Sequence, residues 1–112
     1  MKDNIKSALD KYIVSISNIE GVIQIYLFGS CVFDMSDKDS DIDLMVVIDD
    51  ELNVVKKAIE IQQKLASRTV ALDVLVNNKS IFYEASNDVT LQAEIKNNGV
   101  LLYERERLQK LD

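Results

Sequence analysis

The sequence predicts a small α/β (α+β) domain, a sheet of three to four strands with helices around it. Three observations predict it. Residues 22–28 and 42–48 are nearly continuous apolar, β-branched runs, a third such run covers 70–76, and helical apolar spacing appears before, between and after them. Strands that alternate with helical stretches build sheets covered by helices.

From the N-terminus, Ile5, Leu9, Tyr12, Ile13 and Ile16 recur at three- and four-residue intervals, with Asp3 or Asn4 as N-cap, so residues 3–18 read as an amphipathic helix that Gly21 ends. Val22 to Phe28, interrupted only by Gln24, reads as a buried strand leading into Gly29-Ser30. Residues 31–40 read as loop. Ile42 to Ile48, apolar apart from Asp43, is the second strand, joined tightly enough to the first to be antiparallel. Asp49, Asp50 and Glu51 stand where a helix N-terminus favours negative charge. Leu52, Val55, Ala58, Ile59, Leu65 and Ala66 then supply an apolar stripe to about residue 67. Val70 to Val76 closes a strand–helix–strand unit with parallel connection. Asn77-Asn78-Lys79-Ser80 reads as a turn, 88–97 as a helix closed by Asn98-Gly99, and Val100 to Tyr103 as a short strand. The tail, 104–112, is polar and reads as helical. No linker or repeat divides the 112 residues, so 1–112 is expected to be a single domain.

Thirteen Lys and Arg against nineteen Asp and Glu leave a net charge of −6, which argues against general nucleic-acid binding. One cysteine and no histidine exclude an internal disulfide, the usual zinc sets and every histidine-based triad, so any metal must be held by oxygen. No apolar core follows the charges of the N-terminus, and no run approaches the ~20 residues of a membrane span. A cytoplasmic protein without membrane contact is the expectation.

Seven of the twelve aspartates fall between residues 34 and 50. Asp34, Asp37, Asp39, Asp49 and Asp50 read singly as solvated neighbours. Asp41 and Asp43 differ, because they enter an apolar strand two residues apart and so share one face. If the first two strands are antiparallel, Gly29-Ser30 lies beside them. Asp73, set among apolar residues of the third strand, calls for a cation, since an unpaired buried carboxylate costs several kcal/mol. Three carboxylates on adjacent strands suit Mg²⁺, two ions of which can activate a hydroxyl and neutralise a leaving phosphate. Gly29 lets the backbone approach phosphate, and the Ser30 and Cys31 amides with the Ser30 hydroxyl can donate to it. Together they describe a nucleotide site. Tyr12, Tyr26, Tyr83 and Tyr103 read as packing residues.

Phe28-Gly29-Ser30, ten intervening residues, Asp41-Ile42-Asp43-Leu44 and then Leu72-Asp73-Val74 resemble the signature of the DNA polymerase beta-like nucleotidyltransferase superfamily. Ser40 and the closing Asn98-Gly99-Val100-Leu101-Leu102-Tyr103-Glu104 look most like its minimal nucleotidyltransferase (MNT) domain. The resemblance implies the nucleotidyltransferase fold, a mixed sheet with flanking helices. It implies Mg²⁺ and ATP, with Asp41 and Asp43 as metal ligands and Asp73 as metal ligand and base. MNT proteins are commonly antitoxins of a HEPN-domain ribonuclease toxin, and members with an intact site transfer AMP to a toxin tyrosine, so a hetero-oligomer with such a partner is implied. The chain departs from the usual G-S-x-A-R-G at Phe33 and Asp34, which replace the arginine and glycine. That exchange keeps open a non-catalytic antitoxin that acts by contact alone. A small-molecule (antibiotic) nucleotidyltransferase would need a partner chain to complete an acceptor pocket.

Overall fold

The computed structural model describes residues 3–29, 42–65 and 70–105. In chain order these form α1 (Asp3–Ser17), β1 (Val22–Phe28), β2 (Ile42–Ile48), α2 (Val54–Lys64), β3 (Leu72–Asn78), α3 (Lys79–Ala85), α4 (Leu91–Asn98) and β4 (Val100–Glu104). The strands make one mixed sheet in the order β3-β2-β1-β4. β1 is antiparallel to both β2 and β4, and β2 is parallel to β3. The nucleotidyltransferase architecture expected from the sequence is therefore present.

Alternation along the strands divides the sheet into two faces. Ile25 and Leu27 of β1, Ile42, Leu44, Val46 and Ile48 of β2, and Leu72 and Val76 of β3 point to one side. There they meet Ile5, Leu9, Tyr12 and Ile16 of α1 and Ile61 of α2. Full burial of each such side chain contributes about 1.5–3 kcal/mol, so this face is the main source of stability. The opposite face carries Tyr26, Met45 and Val47 under Phe82 of α3 and Ile95 of α4. A register shift between Val22 and Gln24 puts an extra residue into β1, which lets Val22 and Ile25 share the first face.

The structure corrects several expectations. α2 begins at Val54, later than the acidic triplet, because the Asn53 side chain accepts the Lys56 N–H at 3.0 Å and caps it; its first turn holds no acid. Counting the apolar stripe from Leu52, which precedes the helix, sets the wrong phase. Val54, Ala58, Ile61 and Leu65 face the core, whereas Val55 and Ile59 are 67% and 53% exposed. β3 is displaced two residues toward the C-terminus, since residues 72–78 pair one-for-one with 42–48 and draw Asn77 and Asn78 into the strand. The turn expected at 77–80 is instead the entry to α3, which the sequence reading does not assign. Glu104 belongs to β4 rather than to a helical tail, and residues 106–112 lie outside the described segments, as does the loop expected at 31–40.

Two polar clamps fix the connections. The Asn78 side chain donates to the carbonyls of Asp49 and Leu52, both at 3.0 Å. α3 has no cap from its own Asn78 side chain; Asp50 accepts from the backbone N–H and the hydroxyl of Ser80 instead. On the other face, the Tyr12 hydroxyl donates to the Val70 carbonyl at 2.7 Å and accepts the Val70 N–H at 3.1 Å, tying the approach to β3 onto α1.

Candidate functional site

Asp43 is the second residue of β2 and Asp73 the second residue of β3, and the two are register partners across the parallel pair. Adjacent strands lie about 4.8 Å apart, so the carboxylates leave the sheet side by side on the face that carries Met45 and Val47. Phe28, at the end of β1, is the antiparallel partner of Asp43. Gly29 follows with φ +80°, a left-handed conformation that L side chains rarely adopt. A Cβ built there would collide with Asp43 Oδ2 and stand 3.3 Å from its Cγ. The glycine thus lets the backbone pass against a carboxylate, and β1, β2 and β3 bring Gly29, Asp43 and Asp73 to one end of one face.

Asp73 differs from its sequence-level picture. It is exposed at the start of β3, with no burial penalty to offset, because β3 is an edge strand and α3 and α4 cover the sheet beyond it. Two carboxylates in register on neighbouring strands offer oxygen donors of the kind a hard divalent ion prefers. Among the described residues no cluster of three potential metal ligands is assembled. Asp41 and Ser30, the remaining predicted site residues, lie outside the described segments, as do Cys31, Phe33 and Asp34.

Asp50 is exposed, as the solvated reading expects, while Asp49 is half-buried, and both have partners. The Arg105 guanidinium holds both oxygens of Asp49 at 3.0 Å, while Asp50 caps α3. Ser80 donates through its hydroxyl and its backbone N–H and holds the Asp50 carboxyl below the usual carboxylate range. Asp49 and Arg105, with Gln24, Tyr83 and Glu104, line a cleft of about 500 Å³ at the other end of the sheet. Lys79 also lines it, and most of its other polar groups are paired with one another. Gln24 donates to Glu104 at 2.6 Å and accepts from the Tyr83 hydroxyl at 2.9 Å, so the cleft reads as a structural network. Burial, with the charges of Tyr83 and Glu104, pushes the Tyr26 hydroxyl up, which keeps it neutral.

The sequence reading misses Leu75. Two residues after Asp73 on the same face, it is 39% exposed on a sheet surface otherwise covered at that level by α3 and α4. The signal was available: once Asp73 faces outward, alternation carries Leu75 with it.

An edge-strand carboxylate in register with a second one, beside a left-handed glycine at the end of an antiparallel strand, is an arrangement suited to nucleotidyl transfer. The model of the family "Polymerase beta, Nucleotidyltransferase" matches residues 7–108, and the chain belongs to that family. Among solved structures it is similar to a protein from Sulfolobus solfataricus assigned to the nucleotidyltransferases, at 19% identity and TM-score 0.62, over 96% of this chain and 92% of that one. It is also similar to a toxin-antitoxin structure with AMP-PNP, at 24% identity and TM-score 0.53, over 90% of this chain and 74% of that one. A toxin-antitoxin MntA-HpeT variant matches at 22% identity and TM-score 0.51, with the same coverage. At these identities the likenesses establish the fold. A comparison with curated protein sequences finds no match. No helix among the described residues is long and apolar enough to cross a membrane.

Proposed function

We propose that this chain is a Mg²⁺-dependent antitoxin enzyme that moves AMP from ATP to a tyrosine hydroxyl of a partner HEPN ribonuclease toxin in the cytoplasm. The observation that carries the reading is the in-register pair Asp43 and Asp73 with Gly29 turned against Asp43. The likeness to toxin-antitoxin structures, one of them with AMP-PNP, favours a protein partner and an adenine nucleotide.

Asp43 and Asp73 would hold the metal together with Asp41, assigned from its position in the sequence. Bound Mg²⁺ supplies neutralisation of the triphosphate and a lowered pKa for the attacking hydroxyl. Gly29 keeps the backbone free of a Cβ where phosphate approaches, and the Ser30 N–H and hydroxyl are the proposed donors to it. Asp73, open to solvent at the sheet edge, takes the acceptor proton. The acceptor oxygen bonds to the α-phosphorus, the bond from that phosphorus to the α–β bridging oxygen breaks, and pyrophosphate leaves.

Incubating the folded protein with the partner toxin, ATP and Mg²⁺ is expected to add one adenylate mass to the toxin. Asp43→Asn is expected to abolish the adduct while circular dichroism and Tm stay unchanged. No adduct from folded wild-type protein sinks the proposal, and full toxin neutralisation by Asp43→Asn protein would identify inhibition by contact alone.

A further inference from the structure

We infer that β3 pairs edge to edge with β3 of a second copy of this chain, joining the two sheets into one about a two-fold axis at Leu75. The inference concerns assembly and stands apart from the proposed transfer. Unpaired N–H and C=O groups along a sheet edge are a template for another strand, so natural edges are shortened, bulged or armed with Lys or Pro. β4, at one edge, follows that rule: it has five residues, and a register shift between Ile25 and Tyr26 leaves Leu102 as an extra residue in it. β3, at the other edge, does not. Its seven residues, Leu72-Asp73-Val74-Leu75-Val76-Asn77-Asn78, pair one-for-one with β2 and include no lysine or proline, and among the described residues nothing pairs with the outer side of the strand.

The backbone restricts the register. The Ile42 N–H donates to the Ala71 carbonyl at 3.0 Å, so in the parallel ladder the odd-numbered residues of β3 bond to β2, while Leu72, Val74 and Val76 direct their N–H and C=O groups outward. Antiparallel pairing about Leu75 sets Val74 opposite Val76 of the second copy as a hydrogen-bonded pair, and Leu75 opposite its own copy as the closer, non-hydrogen-bonded pair. The side chains then match. Val74 and Val76 meet on the face packed against α1 and α2, and Leu75, 39% exposed in one chain, gains an apolar neighbour. Asp73 falls opposite Asn77, whereas pairing about Asp73 would set two carboxylates face to face. Pairing about Val74 or Val76 would put Leu75 opposite Asp73 or Asn77 instead. The added strand takes up the edge and leaves the sheet face with Asp43 and Asp73 open.

α2 carries the second observation. It returns over the sheet to β3 by the right-handed crossover such units adopt, so the residues next after Val54 and Ala58 of its core line, about 100° further round the helix, lie on the flank above the β3 edge. Val55 and Ile59 occupy that flank and are exposed, while the Lys57 side chain on the opposite flank is only 14% exposed. The same two-fold axis sets α2 beside its copy, with these two apolar residues between the helices.

Sedimentation equilibrium of the isolated full chain at micromolar concentration is expected to give a two-chain species. Leu75→Lys, at an exposed position, puts two ammonium groups face to face and is expected to give a single chain, folded by circular dichroism; Leu75→Glu does the same with two carboxylates. Mixing the two variants is expected to restore a two-chain species holding one of each, because residue 75 faces itself. Leu101→Lys, on the β4 edge, is expected to keep the two-chain species. A single-chain wild type, a two-chain Leu75→Lys protein or a mixture that fails to associate overturns the pairing, and dissociation by Leu101→Lys alone overturns it in favour of β4.

Discussion

Replacing Gly29 by alanine separates what this glycine does for the backbone from what it does for Asp43. A non-glycine residue in the left-handed region costs about 1–2 kcal/mol. For a domain of this length that amounts to roughly 4–10 °C in Tm. The added Cβ would also collide with the Asp43 carboxylate, which has to move. Gly21 provides the control, because its φ of +89° carries the same backbone cost at the opposite end of β1. A Cβ at Gly21 meets the Leu52 side chain, whose end can rotate, and stands 3.8 Å from Asp49 Oδ2. Both alanine variants should therefore lose similar stability in urea unfolding. Only Gly29→Ala should also weaken binding of a non-hydrolysable ATP analogue with Mg²⁺, by about 10-fold or more, the scale at which misplaced ligand geometry is felt at metal sites. Calorimetric titration of the two variants under native conditions reads the difference. Equal affinity in Gly29→Ala and Gly21→Ala would refute the assignment of Asp43 to the metal.

Two further predictions test the fold around the site. Ile61→Ala should cost about 2–5 kcal/mol in denaturant unfolding, whereas Ile59→Ala, exposed on the outer side of α2, should stay within about 0.5 kcal/mol; similar losses would mean that the helix phase is wrong. The Asp50 carboxyl, held below its ordinary value of 3.8 by Ser80, binds its proton less readily in the folded than in the unfolded chain. Its contribution to stability is thus present above about pH 4 and lost as pH falls through the lower folded value. Asp50→Asn should flatten that part of the acid limb when urea midpoints are compared between about pH 2.5 and 5; an unchanged limb would remove Asp50 as the cap of α3.

Much of the fold is legible locally because its signals are local. The β1 and β2 boundaries follow from apolar runs broken only by Gln24 and Asp43, and α1 from a single uninterrupted stripe. The departures come where a distant group sets the boundary. α3 is capped by Asp50, thirty residues away, so Lys79-Ser80 carries no start signal of its own. The Asn77-Asn78 pair has turn composition, yet β2 offers it hydrogen-bonding partners. Leu52, apolar but outside the helix, sets a false phase for the α2 stripe, whose core-facing residues are Val54, Ala58, Ile61 and Leu65.

Residue order alone determined that Gly29 and Asp43 would meet at one end of the sheet, since an antiparallel first pair brings the end of β1 beside the start of β2. Only the tertiary structure decided that β3 is an edge strand. That decision turns Asp73 from a buried charge in need of rescue into an open carboxylate, and with it exposes Leu75. The physical reason lies in coverage. Among the described residues the sheet order leaves β3 with a single neighbour, and α3 and α4 pack over Tyr26, Met45 and Val47, beyond the level of the two aspartates.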